Sequence, residues 1–336
     1  MKKVLLTTLV PEEKTAWSKA RVDVCTILER AGYVLVQLPR LSSLREARQL
    51  WSVLRRELAG GGHILIEYPF EQRKRILFLY LFRLFSRVKL LAVLHDLDSL
   101  RFGTDSGREM ALLKLFDGLI SHNASMTRWL RDKGYRKKVV DLQMFDYMSA
   151  PAQPVHALGM NSPVNILYAG NLTYEKATYI YSEEIASLKN AHLSVYGPYF
   201  DAARAPRHSV SHKGVFNPDS PVLDGRYHFG LIWEGTSVVT CEGPYGSYLR
   251  YNNPHKASLY VSLGLPIVVW RGAALADFVV EQQIGVTIER LDELDDLAST
   301  VSSEAYFAMA RKVGALRDKV AEGGFLLGAT RQLLAG

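Results

Sequence analysis

Residues 149–171, SAPAQPVHALGMNSPVNILYAGN, close one pattern and open another. Up to residue 163 the run carries three prolines among small residues with neither a helical nor a strand period, as a linker does. From Val164 a short apolar run ends on Gly170 and Asn171, which reads as a buried strand entering a turn. Before this point KVLLTTLV, YVLVQL, HILIEY, KLLAVLH, GLISHN and KKVVDLQMF alternate with helix-period segments over residues 11–31, 44–59, 71–86 and 107–116 and a further helix. After it the alternation restarts: a helix over 175–189, HLSVYGP, a strand near SHKGVF, YHFGLIW, a helix after residue 253, PIVVW, a helix over 274–282, GVTIE and C-terminal helices. Strands rich in Val, Ile and Leu between helices predict parallel sheets covered on both faces. The class is therefore α/β, with two successive Rossmann-like domains over residues 1–152 and 160–322 and a last helix over 323–336 placed to pack back towards the first domain. Ligands of such sheets bind outside the carboxyl ends of the strands, here in a cleft between the domains.

Composition sets limits on function. At 336 residues, 48% hydrophobic and 22% charged, the chain reads as folded throughout and long enough for two cores. The 41 Lys and Arg against 34 Asp and Glu give +7, compatible with nucleic acid, an anionic membrane surface or phosphorylated substrates. A nucleic-acid partner is not expected, because no basic recognition helix, stacking-sheet motif or zinc module accompanies the charge. Cys25 and Cys241 stand far apart in sequence, which suggests neither a disulfide framework nor a cysteine metal cluster and suits a reducing cytoplasm. The start, MKKVLLTTLVPEEK, imitates a signal peptide, but its apolar run is short and broken by Pro11, so it reads as a first strand.

The stretch YLRYNNPHKASLYVSLGLPIVVW (248–270) turns abruptly from wet to dry. Asn253 before Pro254 reads as an N-cap with proline at the first helical position, which places His255 and Lys256 in the first turn. Unpaired amides and the positive dipole end favour an anion there, while a lysine in that turn is unfavourable until a negative partner arrives. A capped helix with Lys256 in solvent is the plain alternative. A phosphate-bearing ligand explains the polar mouth of a buried helix better.

These residues, together with YAGNL (168–172), VYGP (195–198), HKGVF (212–216), FGLIWEG (229–235) and HDLDSLR (95–101), resemble bacterial sugar transferases of the glucosyltransferase-3 and galactofuranosyltransferase-like group. The resemblance implies GT-B architecture, a C-terminal domain that takes a nucleotide sugar, typically UDP-linked, and an N-terminal domain that takes the acceptor. By position, Lys256 neutralises the diphosphate and Asn252, Asn253 and His255 bind phosphate or sugar oxygens. Gly170 and Asn171 let backbone amides approach the donor, while Tyr196 and Gly197 line its nucleobase or ribose side. Many retaining GT-B enzymes carry two glutamates before the Gly-Leu-Pro turn; Tyr251 and Leu259 stand there instead. Ribose recognition therefore comes from elsewhere.

Asp96 and Asp98 have the D-x-D spacing that another glycosyltransferase fold uses for a metal, but they lie in the acceptor domain and Lys256 supplies the positive charge. No metal and no other cofactor is expected. Asp96, after the strand KLLAVL, suits a general base for the acceptor hydroxyl, with His95 as rival; the structural alternative has Asp96 capping the next turn and His95 in the core. Thr8 and Arg101 are acceptor-side candidates, and Arg101 pairs equally well with Asp98. Glu234 either binds donor sugar hydroxyls or is an exposed turn carboxylate, and Trp270 reads as core. The helix near 71–86, with Arg73, Lys74, Arg75 and Arg83 among Leu and Phe and Arg87 just beyond, is either packed with its arginines on the wet face or in peripheral contact with the inner face of a cell membrane. A lipid-linked glycan acceptor suits the second reading, and self-association is left open. The rival to a transferase is a catalytically silent subunit that binds nucleotide sugar or glycan and supports a partner enzyme; turnover separates the two.

Overall fold

The computed structural model describes residues 2–8, 16–70, 73–149, 163–206 and 208–335. The helix start expected at residue 11, most of the linker and the side chain of Arg73 lie outside the described residues. The chain divides into two compact units, Met1–Leu142 with Phe325–Gly336, and Gln143–Gly324. The division thus falls after the sixth strand, ahead of the proline-rich run.

The first unit is built on six parallel strands, β1 (Lys2–Thr7), β2 (Val34–Gln37), β3 (Gly62–Tyr68), β4 (Val88–Leu94), β5 (Gly118–Ser121) and β6 (Lys138–Asp141), in the order β2-β1-β3-β4-β5-β6. Val4, Leu5, Leu6, Ile64, Leu65 and Ile66 are buried, as central strands covered on both faces require. Helices α1 (Ala16–Arg30), α2 (Leu44–Glu57) and α3 (Arg73–Leu84) link the first four strands, and α4 (Asp98–Phe102) follows β4. The final helix, Gly324–Leu334, buries Phe325, Leu326 and Leu333. A methyl group on Gly118 of β5 would stand 2.8 Å from Leu333 Cδ1, so that helix packs directly on this sheet.

The second unit repeats the plan with β7 (Val164–Ala169), β8 (Ala191–Tyr196), β9 (Val210–His212), β10 (Phe229–Ile232), β11 (Ile267–Trp270) and β12 (Gly285–Ile288), ordered β12-β11-β10-β7-β8-β9. In each sheet the order reverses once, between β1 and β3 in the first and between β7 and β10 in the second. Such switch points open a crevice at the strands' carboxyl ends.

Two local expectations are corrected. The helix expected over 175–189 is broken into Tyr174–Ala177, a 3₁₀ turn Thr178–Tyr181 and Glu183–Ala186. Tyr179 and Ile180 turn into the core, and the Ser182 hydroxyl accepts from the Ile185 amide to start a new helix. The helix after residue 253 runs from His255 to Ser262 and its N-cap is Pro254, not Asn253. The Asn253 carboxamide instead donates to the Gln143 carbonyl at 2.8 Å, where Gln143 has a φ of 71°. A residue 110 positions away in sequence has taken the side chain that the local pattern assigned to the cap.

Candidate functional site

The most constrained polar group of the second unit lies at its switch point. Helix His255–Ser262 is clamped there by Tyr260, whose hydroxyl accepts from the Ala169 amide at the end of β7 and donates to the Leu231 carbonyl of β10, both at 3.0 Å. One turn earlier on the same face, Lys256 is thereby carried over the Tyr168 ring, with Nζ 3.9 Å from its centroid. Nζ also donates to Glu234 Oε1 at 2.6 Å, and the side chains are only 9% and 12% exposed. Burial pulls the ammonium below the ordinary lysine range, and the Glu234 carboxylate opposes that shift. Lys256 is therefore not a solvated lysine, and Glu234 is not an exposed turn carboxylate. The second carboxylate oxygen, Glu234 Oε2, and the Asn252 Oδ1 are buried without a hydrogen-bond partner. Leaving such acceptors unmade costs about 1–3 kcal/mol each.

Glycine forms the wall beside this group. A Cβ on Gly170 would lie 3.3 Å from Lys256 Nζ. Gly197, after β8, has a φ of 149°, and a Cβ there would stand 1.7 Å from the Gly170 carbonyl oxygen. The turns after β7 and β8 thus touch backbone to backbone beside Lys256. Asn171 uses its side-chain oxygen to accept from the Thr173 amide at 2.9 Å, shaping the first turn.

Other expected donor residues are placed differently. Tyr196 is 3% exposed; its hydroxyl meets that of Tyr227 at 3.2 Å and accepts from the Asp224 amide at 2.7 Å. Its side chain is core and offers no surface to a nucleobase. The His255 ring packs against those of Phe145 and Tyr147, with centroids 6.0 and 5.0 Å away. It fixes residues 143–148 against the helix start rather than reaching past it. Trp270 is buried beside Trp233 and carries the Arg250 guanidinium 4.5 Å above its ring.

The first unit holds a second polar group, at the β1/β3 switch point. Glu67 of β3 is 1% exposed, accepts from the Thr7 hydroxyl at 2.6 Å through Oε2, and meets His95 Nε2 at 3.2 Å through Oε1. The Cys25 thiol lies 3.7 Å from Oε2, and burial followed by the Glu67 charge pushes its pKa up to about 12. Arg21 of α1 reaches the Thr8 hydroxyl at 3.4 Å and the Pro69 carbonyl at 2.7 Å. Beside these, Asp96 is ion-paired with Arg101. Burial raises the Asp96 pKa above the usual aspartate range and the Arg101 charge opposes it. Nor does Asp96 cap the following helix: the Glu109 carboxylate accepts from the Asp98 and Ser99 amides at 3.1 Å.

With both groups in place, comparison with known proteins is decisive. A family model described as glucosyltransferase 3-like, N-terminal domain, matches residues 3–144, and the corresponding C-terminal domain model matches residues 166–333. The chain belongs to the glucosyltransferase 3-like family. It is 33% identical over 242 residues to the beta-1,6-galactofuranosyltransferase WbbI of Escherichia coli K12, covering 71% of this chain and 69% of WbbI. It is 25% identical over 134 residues to glucosyltransferase 3 of Streptococcus gordonii, covering 40% of this chain and 39% of that one. The crystal structure of HepE from Anabaena in complex with UDP and glucose superposes with a TM-score of 0.62 at 13% identity over 100% of both chains, which shows the shared GT-B fold. The protein is a glycosyltransferase.

For this glucosyltransferase 3-like chain, Glu67 is the residue that sequence reasoning missed. Its signal was visible: one carboxylate inside the otherwise dry run HILIEY, with no local partner. Glu67→Gln keeps the shape but takes the charge from between Thr7, His95 and Arg21. It is expected to lower the unfolding free energy by about 1.5–3 kcal/mol, the range for hydrogen bonds to a charged group. A urea melt of the variant unchanged from wild type would show the carboxylate's contacts to be unneeded for stability.

Proposed function

We propose that the protein transfers a hexosyl or galactofuranosyl unit from a UDP-linked sugar to a hydroxyl of a glycan acceptor, in the synthesis of bacterial surface polysaccharide or glycoprotein. The observation that supports this most is the buried Lys256–Glu234 pair at the β7/β10 switch point, with acceptors left unmade at Glu234 Oε2 and Asn252 Oδ1. A ligand that satisfies both features needs negative charge for the ammonium and hydroxyl donors for the oxygens. A sugar diphosphate carries both. The name of WbbI and the UDP and glucose named with HepE agree with that chemistry.

The diphosphate oxygens take Lys256 and the amide-rich start of helix His255–Ser262, so no divalent ion is needed to hold them. Sugar hydroxyls donate to Glu234 Oε2. The acceptor, a free or lipid-linked glycan, belongs to the first unit, where Asp96 takes its hydroxyl proton. The acceptor oxygen then bonds to the anomeric carbon as the bond from that carbon to the diphosphate oxygen breaks, and Lys256 stabilises the charge that develops on the departing UDP.

A thermal-shift panel of UDP, TDP, GDP and CMP in a metal chelator tests the donor class. UDP is expected to raise the melting temperature most, because a ligand at 100 times its Kd stabilises the native state by about 2.7 kcal/mol. A larger shift with GDP, or a UDP shift that needs a divalent ion, would sink this reading.

A further inference from the structure

Helix α3 departs in part from the arrangement expected of its sequence. Arg75 points inward and donates to the carbonyls of Leu38, Pro39 and Phe70, and Arg83 pairs with Asp117. Phe78, Leu79 and Phe82 are buried, with the rings of Phe78 and Phe82 5.9 and 5.0 Å from that of Trp51. The solvent side is then left to Leu77, Tyr80, Leu81, Leu84 and Phe85, which are between 40% and 76% exposed. Their spacing of three and four residues makes one continuous stripe along the helix. Lys74 continues the stripe at its amino end, and Arg87 and Lys89 follow its carboxyl end; all three are exposed. From Lys74 to Lys89 the chain has five basic residues and no Asp or Glu.

We propose that this face of α3 rests on an anionic lipid bilayer, with the Leu and Phe side chains at the boundary between headgroups and acyl chains and Lys74, Arg87 and Lys89 among the phosphates. Two observations select that occupant. An apolar stripe with the exposed bases Lys74, Arg87 and Lys89 at its ends is complementary to a surface that is negative and deformable. A second copy docked through the same stripe would set those bases against their own equivalents, because a two-fold contact brings each patch onto itself. The helix lies along the surface, for no helix among the described residues is long and apolar enough to cross a membrane. The inference is independent of the donor reading, since nothing on α3 belongs to either polar group.

The test is co-sedimentation of the full chain with vesicles of phosphatidylcholine alone and of phosphatidylcholine mixed with phosphatidylglycerol. Wild type is expected to pellet with the mixed vesicles and only weakly with the neutral ones. Lys74→Gln with Arg87→Gln should weaken binding to the mixed vesicles by about 25-fold, at about fivefold for each base removed. Leu81→Gln, Leu84→Gln and Phe85→Gln together should weaken it by about 100-fold or more. The thermal melt and the UDP-induced shift should stay as in wild type, which separates this surface from the donor site. No pelleting with mixed vesicles, or equal pelleting with both kinds, would overturn the proposal. So would a dimer in analytical ultracentrifugation that the triple variant dissociates, because a second copy would then cover the stripe.

Discussion

Asp96→Asn is expected to lower kcat by about 10²–10⁴ while leaving UDP affinity unchanged, because a carboxamide of the same size cannot take a proton. Asp96 stands just after β4, where the first unit gathers its polar side chains, and it is the more exposed of the two base candidates: His95 is buried and bonded through Nε2 to Glu67. Its ion pair with Arg101 fixes the carboxylate's direction, while burial lifts its pKa towards values useful in a base. A raised pKa also carries a sign for the pH profile. The base acts only when deprotonated, so activity should fall on the acid side at a higher pH than an ordinary aspartate would give, and that limb should vanish from the residual activity of the variant. Near-normal turnover with intact UDP binding would move the role to His95, with Glu67 as the residue that orients it.

Lys256→Ala should weaken UDP binding by about 1.5–3 kcal/mol, the range for a hydrogen bond to a charged group, or about 10- to 150-fold. The sequence stretch alone gives no reason to expect a cost in stability, since a first-turn lysine reads as solvated. The ion pair changes that expectation. Removing Lys256 strands the Glu234 carboxylate in a dry place, and breaking a buried pair from one side costs about 3–5 kcal/mol. The single variant should therefore melt earlier as well as bind less. Lys256→Met with Glu234→Gln removes both charges together and is expected to restore most of the stability without restoring the affinity.

Most strands were legible because each is a dry run covered on both faces, which needs only local composition to read. In the second unit the sequence pattern alone singled out Lys256, in the first turn of a helix, whereas Gly170 and Gly197 were named through the family resemblance; in the structure Gly170 lies beside Lys256 and Gly197 against Gly170. What escaped was long-range. Nothing near Asn253 reveals that its carboxamide will hold the Gln143 carbonyl, and nothing near Tyr196 reveals that Tyr227 and the Asp224 amide will occupy its hydroxyl. Glu67 lacked a local partner because Thr7 and His95 come from two other parts of the sheet. On α3 the composition was read correctly but not its orientation. Carbonyls at Leu38, Pro39 and Phe70 hold Arg75 and the carboxylate of Asp117 holds Arg83, while Leu77, Leu81 and Leu84 are left outside.

The central claim is that a nucleoside diphosphate binds the second unit through Lys256 without a metal ion. Calorimetric titration of UDP into the wild-type protein and into the Lys256→Met, Glu234→Gln variant, both in excess chelator and below their melting temperatures, tests it most directly. Saturable binding to wild type that is at least about tenfold weaker in the variant is the expected result. Equal affinity in the two proteins, or wild-type binding that appears only when a divalent ion is restored, would contradict it.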